Sequence, residues 1–430
     1  MISPSVLREV LLDNRELVES KKIFPREVTL TGFPRCVLVG VRRCGKSYLL
    51  YHRIQQLLAE GRTWDEMLYL NFEDERLIGF EASDFNQILA VHAEMSGHKK
   101  RPILFLDEIQ IIDGWEKFAR RMADAEAEIF ITGSNAKMLS VDVAAALGGR
   151  FLTISVYPLS FSEVLEAKRG NDKALKASST VGCALIKREF ETFFRYGGFP
   201  ECLSLPNKIE YLNVLFQKIY MGDIAVRNKV NNLFPLRVLI KKMAESVGQP
   251  LSYSRLTNIV TSLGVKISKN TCINYVQYAC DSCLVFPIQN IVGKLQDRES
   301  HRKFYFADNG LIQLLNADPQ AAQLENLVAL TLTRRYGIND AVFFYKRDVE
   351  VDFYLPESET AIQVSLQLDR DPKTLERELG AFRKMKNEMP VKHQWIITLD
   401  EEKTIPTDFG PVEVIPIWKW LLEPKWGQGE

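Results

Sequence analysis

The chain has 430 residues, of which 46% are hydrophobic and 26% charged, with 55 basic residues balancing 55 acidic ones. The length exceeds what one core serves and implies about two to four domains, and the composition excludes disorder over most of it. Charge balance excludes a global field toward nucleic acid or membrane, so any such contact needs a local patch.

The N-terminal stretch MISPSVLREVLLDNRELVESKK mixes apolar and charged residues and has no small-residue cleavage site, so it does not read as a signal peptide. Val6, Leu7, Val10, Leu11, Leu17 and Val18 predict one face of a helix. No apolar run approaches the ~20 residues needed to span a bilayer. The seven cysteines (Cys36, Cys44, Cys183, Cys202, Cys272, Cys280, Cys283) are odd in number and scattered, which suits a reducing, cytoplasmic setting. Cys280 and Cys283, with Cys272 and His301 nearby, lack the second close pair of a zinc site and read as buried structural thiols.

Five short apolar runs follow: RCVLVG (35–40), MLYLNF (67–72), PILFLDE (102–108), EIFITGS (128–134) and RFLTISVY (150–157). Continuous apolar character predicts strands buried on both faces, hence a parallel sheet. The intervening helical stretches, such as Ser47–Leu58, make this a doubly wound α/β core. From Pro158 to about Glu245 the pattern is helical, with a polar connection AKRGNDKALKASST (167–180) and a turn at YGGFP (196–200).

Two helices are then predicted, one carrying Leu256, Ile259, Val260 and Leu263 and ended by Gly264, the other capped by Ser268 and carrying Ile273, Val276 and Cys280. Strands CLVFPIQNI and RKFYFAD follow, joined by VGKLQDRESH, which is winged-helix order. From about Glu325 the order is helix, FFYK, EVDFYLP, AIQVSLQ, helix, QWIIT, a second α/β part. In EVDFYLP, alternation puts Val351, Phe353 and Leu355 on one face, with Glu350, Asp352 and Tyr354 on the other.

Gly40-Val41-Arg42-Arg43-Cys44-Gly45-Lys46-Ser47 matches G-x-x-x-x-G-K-[ST], the phosphate-binding P-loop. The glycines let backbone N–H groups close on phosphate oxygens, and the helix opening there adds its positive end. Lys46 is expected on the β- and γ-phosphates, Ser47 on Mg²⁺, and Tyr48 completes the candidate nucleotide contacts. A glycine turn with an exposed lysine does not account for the strand before and the helix after. Arg42 and Arg43 fill positions the motif leaves free and read as facing a neighbouring domain or subunit.

A second element is expected on a neighbouring strand, and Ile103-Leu104-Phe105-Leu106-Asp107-Glu108 supplies it. Asp107 would hold Mg²⁺ through Ser47 or water, and Glu108 would polarise the attacking water. Ser134 or Asn135, after Ile131-Thr132-Gly133, could orient that water, the alternative being a helix cap over Asn135–Leu139. Glu73-Asp74-Glu75 read as exposed loop acids.

GVRRCGKS, LDEIQ with Gly114-Trp115, ITGSN, Gly149-Arg150, PLSFSEVL, YGGFP, YMGDIAVR, KFYFADNGL, LENLV and EVDF with IQVS together resemble one bacterial and archaeal family over nearly the whole chain. It comprises AAA+-like ATP-binding proteins whose C-terminal half is a restriction-endonuclease-like domain of unknown function. The resemblance implies a P-loop core (1–157), a helical lid (158–245), a winged helix (246–315) and a degenerate nuclease-like α/β domain (316–430).

It also implies an arginine acting in trans in an oligomer, Arg150 first and Arg227 second, each alternatively an internal ion pair. In the nuclease-like part Glu325 and Asp352 match two metal-binding acids, but Gln363-Val364-Ser365 stands where E-x-K belongs. Gln363 is a weak ligand for a hard cation, and Ser365 carries no positive charge. Glu376 or Glu378 could migrate into the role, with Lys346 nearby, yet nuclease activity is not expected.

Over 251–311, seven basic residues face four acidic ones, a local balance of +3. Lys266, Lys269, Arg298 and Arg302 are the candidate phosphate contacts of a DNA-binding face. The sequence thus predicts an Mg²⁺- and ATP-dependent ATPase, oligomeric and engaging DNA. A protein-binding nucleotide switch and an ATP-controlled nuclease are the alternatives.

Overall fold

The computed structural model describes residues 2–24, 26–97, 101–135, 138, 141–169, 180–337, 341–369 and 372–422. Contacts divide the chain into two compact units, one of Met1–Tyr157 with Asp281–Cys283, the other of Pro158–Cys280 with Leu284–Glu430.

The first unit is a five-stranded sheet of β1 (Arg35–Val39), β2 (Met67–Asn71), β3 (Ile103–Asp107), β4 (Ile129–Gly133) and β5 (Leu152–Ser155). All pairings are parallel, in the order β2-β3-β4-β1-β5. Its helices are α1 (Pro4–Ser20), α2 (Lys46–Ala59), α3 (Phe85–Ser96), α4 (Trp115–Asp124) and α5 (Val141–Leu147). Strands β1, β3 and β4 are apolar and covered on both faces, as a parallel sheet between helical layers requires. Strand β5 departs from that expectation: it ends the sheet, and Leu152 is exposed.

Helix α1 starts at Ser3, whose hydroxyl accepts the Val6 N–H, with Pro4 at the first position where its missing donor costs nothing. It buries Leu7, Val10, Leu11 and Val18, while the predicted Leu17 is exposed and Asn14 lies on the buried face instead.

The second unit begins with α6 (Phe161–Arg169), α7 (Thr180–Tyr196), α8 (Pro200–Ser204), α9 (Lys208–Gln217), a π-helix (Lys218–Val226) and α10 (Leu233–Glu245). The polar connection expected over 167–180 falls mostly on residues 170–179, outside the described residues. Next come β6 (Leu251–Ser252), α11 (Tyr253–Ser262), α12 (Lys269–Asp281), β7 (Val285–Asn290), α13 (Leu295–Ser300), β8 (His301–Phe306), α14 (Asn309–Leu315) and α15 (Gln320–Tyr336). Ser268 caps α12 as expected, accepting the Thr271 N–H at 3.0 Å. Strands β7 and β8 pair antiparallel, but α13 stands in the predicted polar connection.

The chain ends with β9 (Phe343–Lys346), β10 (Glu350–Leu355), β11 (Thr360–Val364), α16 (Pro372–Lys386), β12 (His393–Thr398), β13 (Lys403–Ile405), β14 (Val412–Pro416) and α17 (Ile417–Trp420). One sheet, in the order β13-β14-β12-β11-β10-β9-β7-β8-β6, runs through the whole of this part. The join is the parallel pairing of β7 with β9, Gln289 opposite Phe343 and Asn290 opposite Phe344. The sheet therefore has no break at the boundary expected near 315.

Strand β10 also corrects the predicted alternation. Its register against β9 shifts between Val351 and Tyr354, and both residues enter the same core cluster. Such a bulge turns neighbouring side chains onto a new face.

Three motif segments of this unit meet at Asp308. Its carboxylate accepts the Gly198 N–H at 2.7 Å and the Gly310 N–H at 2.8 Å. A Cβ on Gly197 (φ +75°) would lie 1.6 Å from Asp308 Oδ1, and one on Gly198 would lie 2.1 Å from the Leu159 carbonyl. Glycine in YGGFP is thus required for close approach as well as for the turn. Asn326 completes the node by exchanging hydrogen bonds with the Phe306 backbone, 2.7 Å to its N–H and 3.1 Å to its carbonyl.

Candidate active site

The phosphate loop runs from the end of β1 to the start of α2. Gly40 is packed so tightly that a Cβ would lie 2.0 Å from the Val156 carbonyl oxygen. Gly45, at φ 104°, stands at the helix N-terminus in a conformation that disfavours any side chain. Arg26, which the sequence reading missed, braces the loop, donating to Cys44 O at 3.1 Å and Tyr157 O at 2.8 Å.

Lys46 is 4% exposed. Its Nζ donates to Gly40 O at 3.1 Å and Val41 O at 3.3 Å, and lies 3.5 Å from Glu108 Oε1. Burial, the strongest single influence, disfavours the ammonium, but Glu108 together with Cys44, Cys283 and Asp107 outweighs it and holds the Lys46 pKa above its ordinary value. Glu108 shows the reciprocal behaviour: burial pushes its carboxyl up, yet Lys46 and hydrogen bonds from Gln110 and Ser134 bring it below the usual range. The two residues form a buried ion pair.

Asp107 ends β3. Its Oδ2 accepts the Tyr69 hydroxyl at 2.8 Å, its Oδ1 accepts the Thr132 hydroxyl, and Ser47 also donates to it. Burial first, then the adjacent Glu108 charge, push the Asp107 carboxyl up, against the lowering effect of these donors. The expectation that β3 adjoins β1 is corrected, because β4 lies between them. That strand brings Thr132, which sequence reading missed. The Thr132 oxygen donates to Asp107 and accepts the Glu108 N–H at 2.9 Å, so one hydroxyl fixes both acids. Glu108 has φ 53°, a left-handed conformation uncommon for a residue with a side chain.

Gln110 Nε2 donates to Glu108 Oε2 at 2.5 Å and lies 3.5 Å from the buried Ser134 hydroxyl. Ser134 is thereby placed beside Glu108. The alternative cap at Asn135 involves residues 136, 137 and 139, outside the described residues. Arg42 turns away from the loop to pair with Glu73 at 3.0 Å, while Tyr48 is exposed. Asp74 pairs with Arg76, which also reaches Glu9 and Asp13 of α1. Arg150 pairs with Asp124 at 2.6 Å, and Arg227 with Asp223 at 3.4 Å, so each lies in an internal ion pair.

In the second unit Lys266 and Lys269 are exposed. Arg298 donates to Ile291 O at 2.8 Å and Arg302 pairs with Glu299, so these two are engaged within the fold. Glu325 and Asp352 converge, joined by Glu350 and Lys303, which sequence reading missed. Gln363 spends its amide on strand β10, accepting the Asp352 N–H at 3.0 Å and donating to Glu350 O at 3.0 Å. Glu376 is exposed, Glu378 pairs with Arg377, and Lys346 pairs with Glu350. All seven cysteines are thiols, and among the described residues no three His, Cys, Asp or Glu side chains are grouped to hold a metal ion. No helix among those residues is long and apolar enough to cross a membrane.

A parallel sheet carrying a P-loop on β1 and an acid pair at the end of β3 defines a P-loop ATPase core of the AAA type, and a family model described as "AAA domain" matches residues 33–165. A second model, "Domain of unknown function (DUF8612)", matches residues 187–321. The chain is 33% identical over 438 residues to the uncharacterized protein MJ1544 of Methanocaldococcus jannaschii, covering 98% of this chain and 96% of that one. It is 31% identical over 399 residues to an uncharacterized protein of Haemophilus influenzae, covering 90% and 94%. The chain belongs to the family of these two proteins. Among solved structures it is similar to the Walker-type ATPase PABY2304 of Pyrococcus abyssi, at 17% identity and TM-score 0.38, covering 73% of this chain and 96% of that one. It is also similar to the Aeropyrum pernix ORC1 protein, solved with DNA, at 14% identity and TM-score 0.28, covering 76% and 93%.

Proposed function

We propose that this protein binds and hydrolyses Mg²⁺-ATP at the loop Gly40–Tyr48. The observation that carries the reading is the buried Lys46–Glu108 pair, 3.5 Å apart, standing on an Asp107 already held by three hydroxyls. The loop supports a triphosphate site: it leads from β1 through Gly45, at φ 104°, directly into the N-terminus of α2 at Lys46, where a helix's free N–H groups and positive end favour phosphate. Ser47 hydroxyl and Asp107 carboxylate are hard oxygen donors and would hold Mg²⁺, which offsets charge on the phosphates. Lys46 leaves Glu108 for phosphate oxygens. Glu108, held by Gln110 and by its backbone N–H on Thr132, then accepts a proton from the attacking water, and Ser134 fixes that water.

The finer parts of the reading extend this. The chain is a P-loop core over 1–157, a helical lid over 158–245, a winged helix over 246–315 and a nuclease-like part over 316–430. DNA is engaged through Lys266 and Lys269, supported by their exposure beside the N-terminus of α12. In an oligomer, Arg150 exchanges Asp124 for a neighbour's nucleotide. The test is Mg²⁺-dependent ATP turnover by the purified chain, with and without duplex DNA. Turnover abolished by Lys46→Ala supports the reading, and turnover unchanged by that substitution rejects it.

A further inference from the structure

Far from the phosphate loop in sequence, Lys303 of β8 is completely buried. Its Nζ lies 2.9 Å from Glu350 Oε1, 3.1 Å from Asp352 Oδ1 and 3.2 Å from Glu325 Oε1. An ammonium has three N–H donors, and here three carboxylates take one each. The remaining oxygens are largely spoken for. Glu325 Oε1 also accepts the Tyr305 hydroxyl at 2.8 Å, Asp352 Oδ2 accepts the Val364 N–H at 2.9 Å, and Glu350 Oε2 pairs with Lys346 at 2.6 Å. Glu325 Oε2 faces Gly248, where a Cβ would approach to 2.1 Å, beside a cavity of about 180 Å³.

Three carboxylates from a helix and a strand next to a β-bulge supply the oxygen donors a hard divalent cation favours, although as they stand around Lys303 they are not grouped to hold a metal ion. In this chain a cation already sits among them, and it is covalently part of the protein. We infer that the Lys303 ammonium is a built-in substitute for a divalent metal ion, closing a carboxylate site that would otherwise bind one. The centre is then a metal-independent joint that ties β8 to α15 and β10. This inference does not depend on the nucleotide reading.

Two features agree. Gln363 is used up on the β10 backbone, its Oε1 on the Asp352 N–H and its Nε2 on Glu350 O, and offers the cluster no further oxygen. Lys303 has no solvent exposure and its three carboxylate partners lie at 2.9, 3.1 and 3.2 Å, so the ammonium fills the space between them.

The experiment is nucleotide-free Mn²⁺ binding, by EPR and calorimetry at pH 8. Wild type is expected to show no Mn²⁺ binding that Asp352→Asn removes. Lys303→Ala is expected to gain one Mn²⁺ site at least about ten-fold tighter than anything in wild type. Its Tm should rise on adding Mn²⁺, and Lys303→Ala/Asp352→Asn should lose both effects. If Lys303→Ala does not fold alone, it is refolded in Mn²⁺: recovery supports the inference and failure to recover overturns it. A wild-type Mn²⁺ site abolished by Asp352→Asn overturns it, as does a folded Lys303→Ala that binds no Mn²⁺.

Discussion

Lys46 Nζ lies 3.5 Å from Glu108 Oε1, and both side chains are buried beneath the phosphate loop. In the proposed mechanism, the cation for phosphate and the carboxylate for water therefore neutralise each other before ATP arrives. Triphosphate oxygens would then compete with Glu108 for Lys46, so that binding the nucleotide would also free the base. A buried pair of this kind is costly to break from one side only, about 3–5 kcal/mol in general. On that proposal the phosphate has to supply the replacement partner as the carboxylate is given up.

Thr132→Val keeps the shape of β4 but removes the hydroxyl shared by Asp107 and the Glu108 N–H. It leaves a buried N–H without an acceptor and takes one of three hydroxyl donors from the buried Asp107 carboxylate. A loss of about 1–3 kcal/mol is expected, read as a Tm lowered by about 2–10 °C. Thr132→Ser should recover most of it.

Asp308 gives a pH prediction for the second unit. Burial raises its pKa to about 7 against an ordinary value of 3.8, over the lowering effect of the Gly198 and Gly310 N–H groups and the Arg334 charge. Between those values the native state holds the proton that the unfolded chain has released. Stability therefore falls as pH rises from about 4 to 7, by at most about 1.4 kcal/mol per unit. Urea midpoints across that range should decline in wild type more steeply than in Asp308→Asn; parallel slopes would count against the assignment.

How much of this was legible depended on how local the signal was. The P-loop occupies eight consecutive residues, and the Asp107-Glu108 pair closes one apolar run, so both could be read directly. Thr132 gave only a faint sign, a polar residue inside an otherwise apolar strand, because its role depends on β4 lying between β1 and β3. Lys303, Glu325, Glu350 and Asp352 come from three separate segments, and no spacing rule links them. The available clue was that Lys303 and Tyr305, two apart on β8, point the same way into an apolar strand's buried face. The alternation in EVDFYLP misled because a bulge, invisible in residue type, shifts the register between Val351 and Tyr354.

The winged-helix proposal predicts unequal effects among four cations. Lys266→Glu and Lys269→Glu should each lower DNA affinity at all sequences and reduce the slope of log K against log salt by about 0.9. Arg298→Ala and Arg302→Ala, whose guanidiniums are held by Ile291 O and Glu299, should act mainly on stability. Fluorescence anisotropy at several salt concentrations distinguishes the two classes.

The most direct test of the nucleotide site compares ATP affinity and turnover in Glu108→Gln. The substitution removes the base and the partner that competes for Lys46. ATP should bind more tightly than in wild type, while steady-state turnover falls by about 10²-fold or more. Weaker ATP binding together with unchanged turnover would contradict the account, since Glu108 would then neither restrain Lys46 nor activate water.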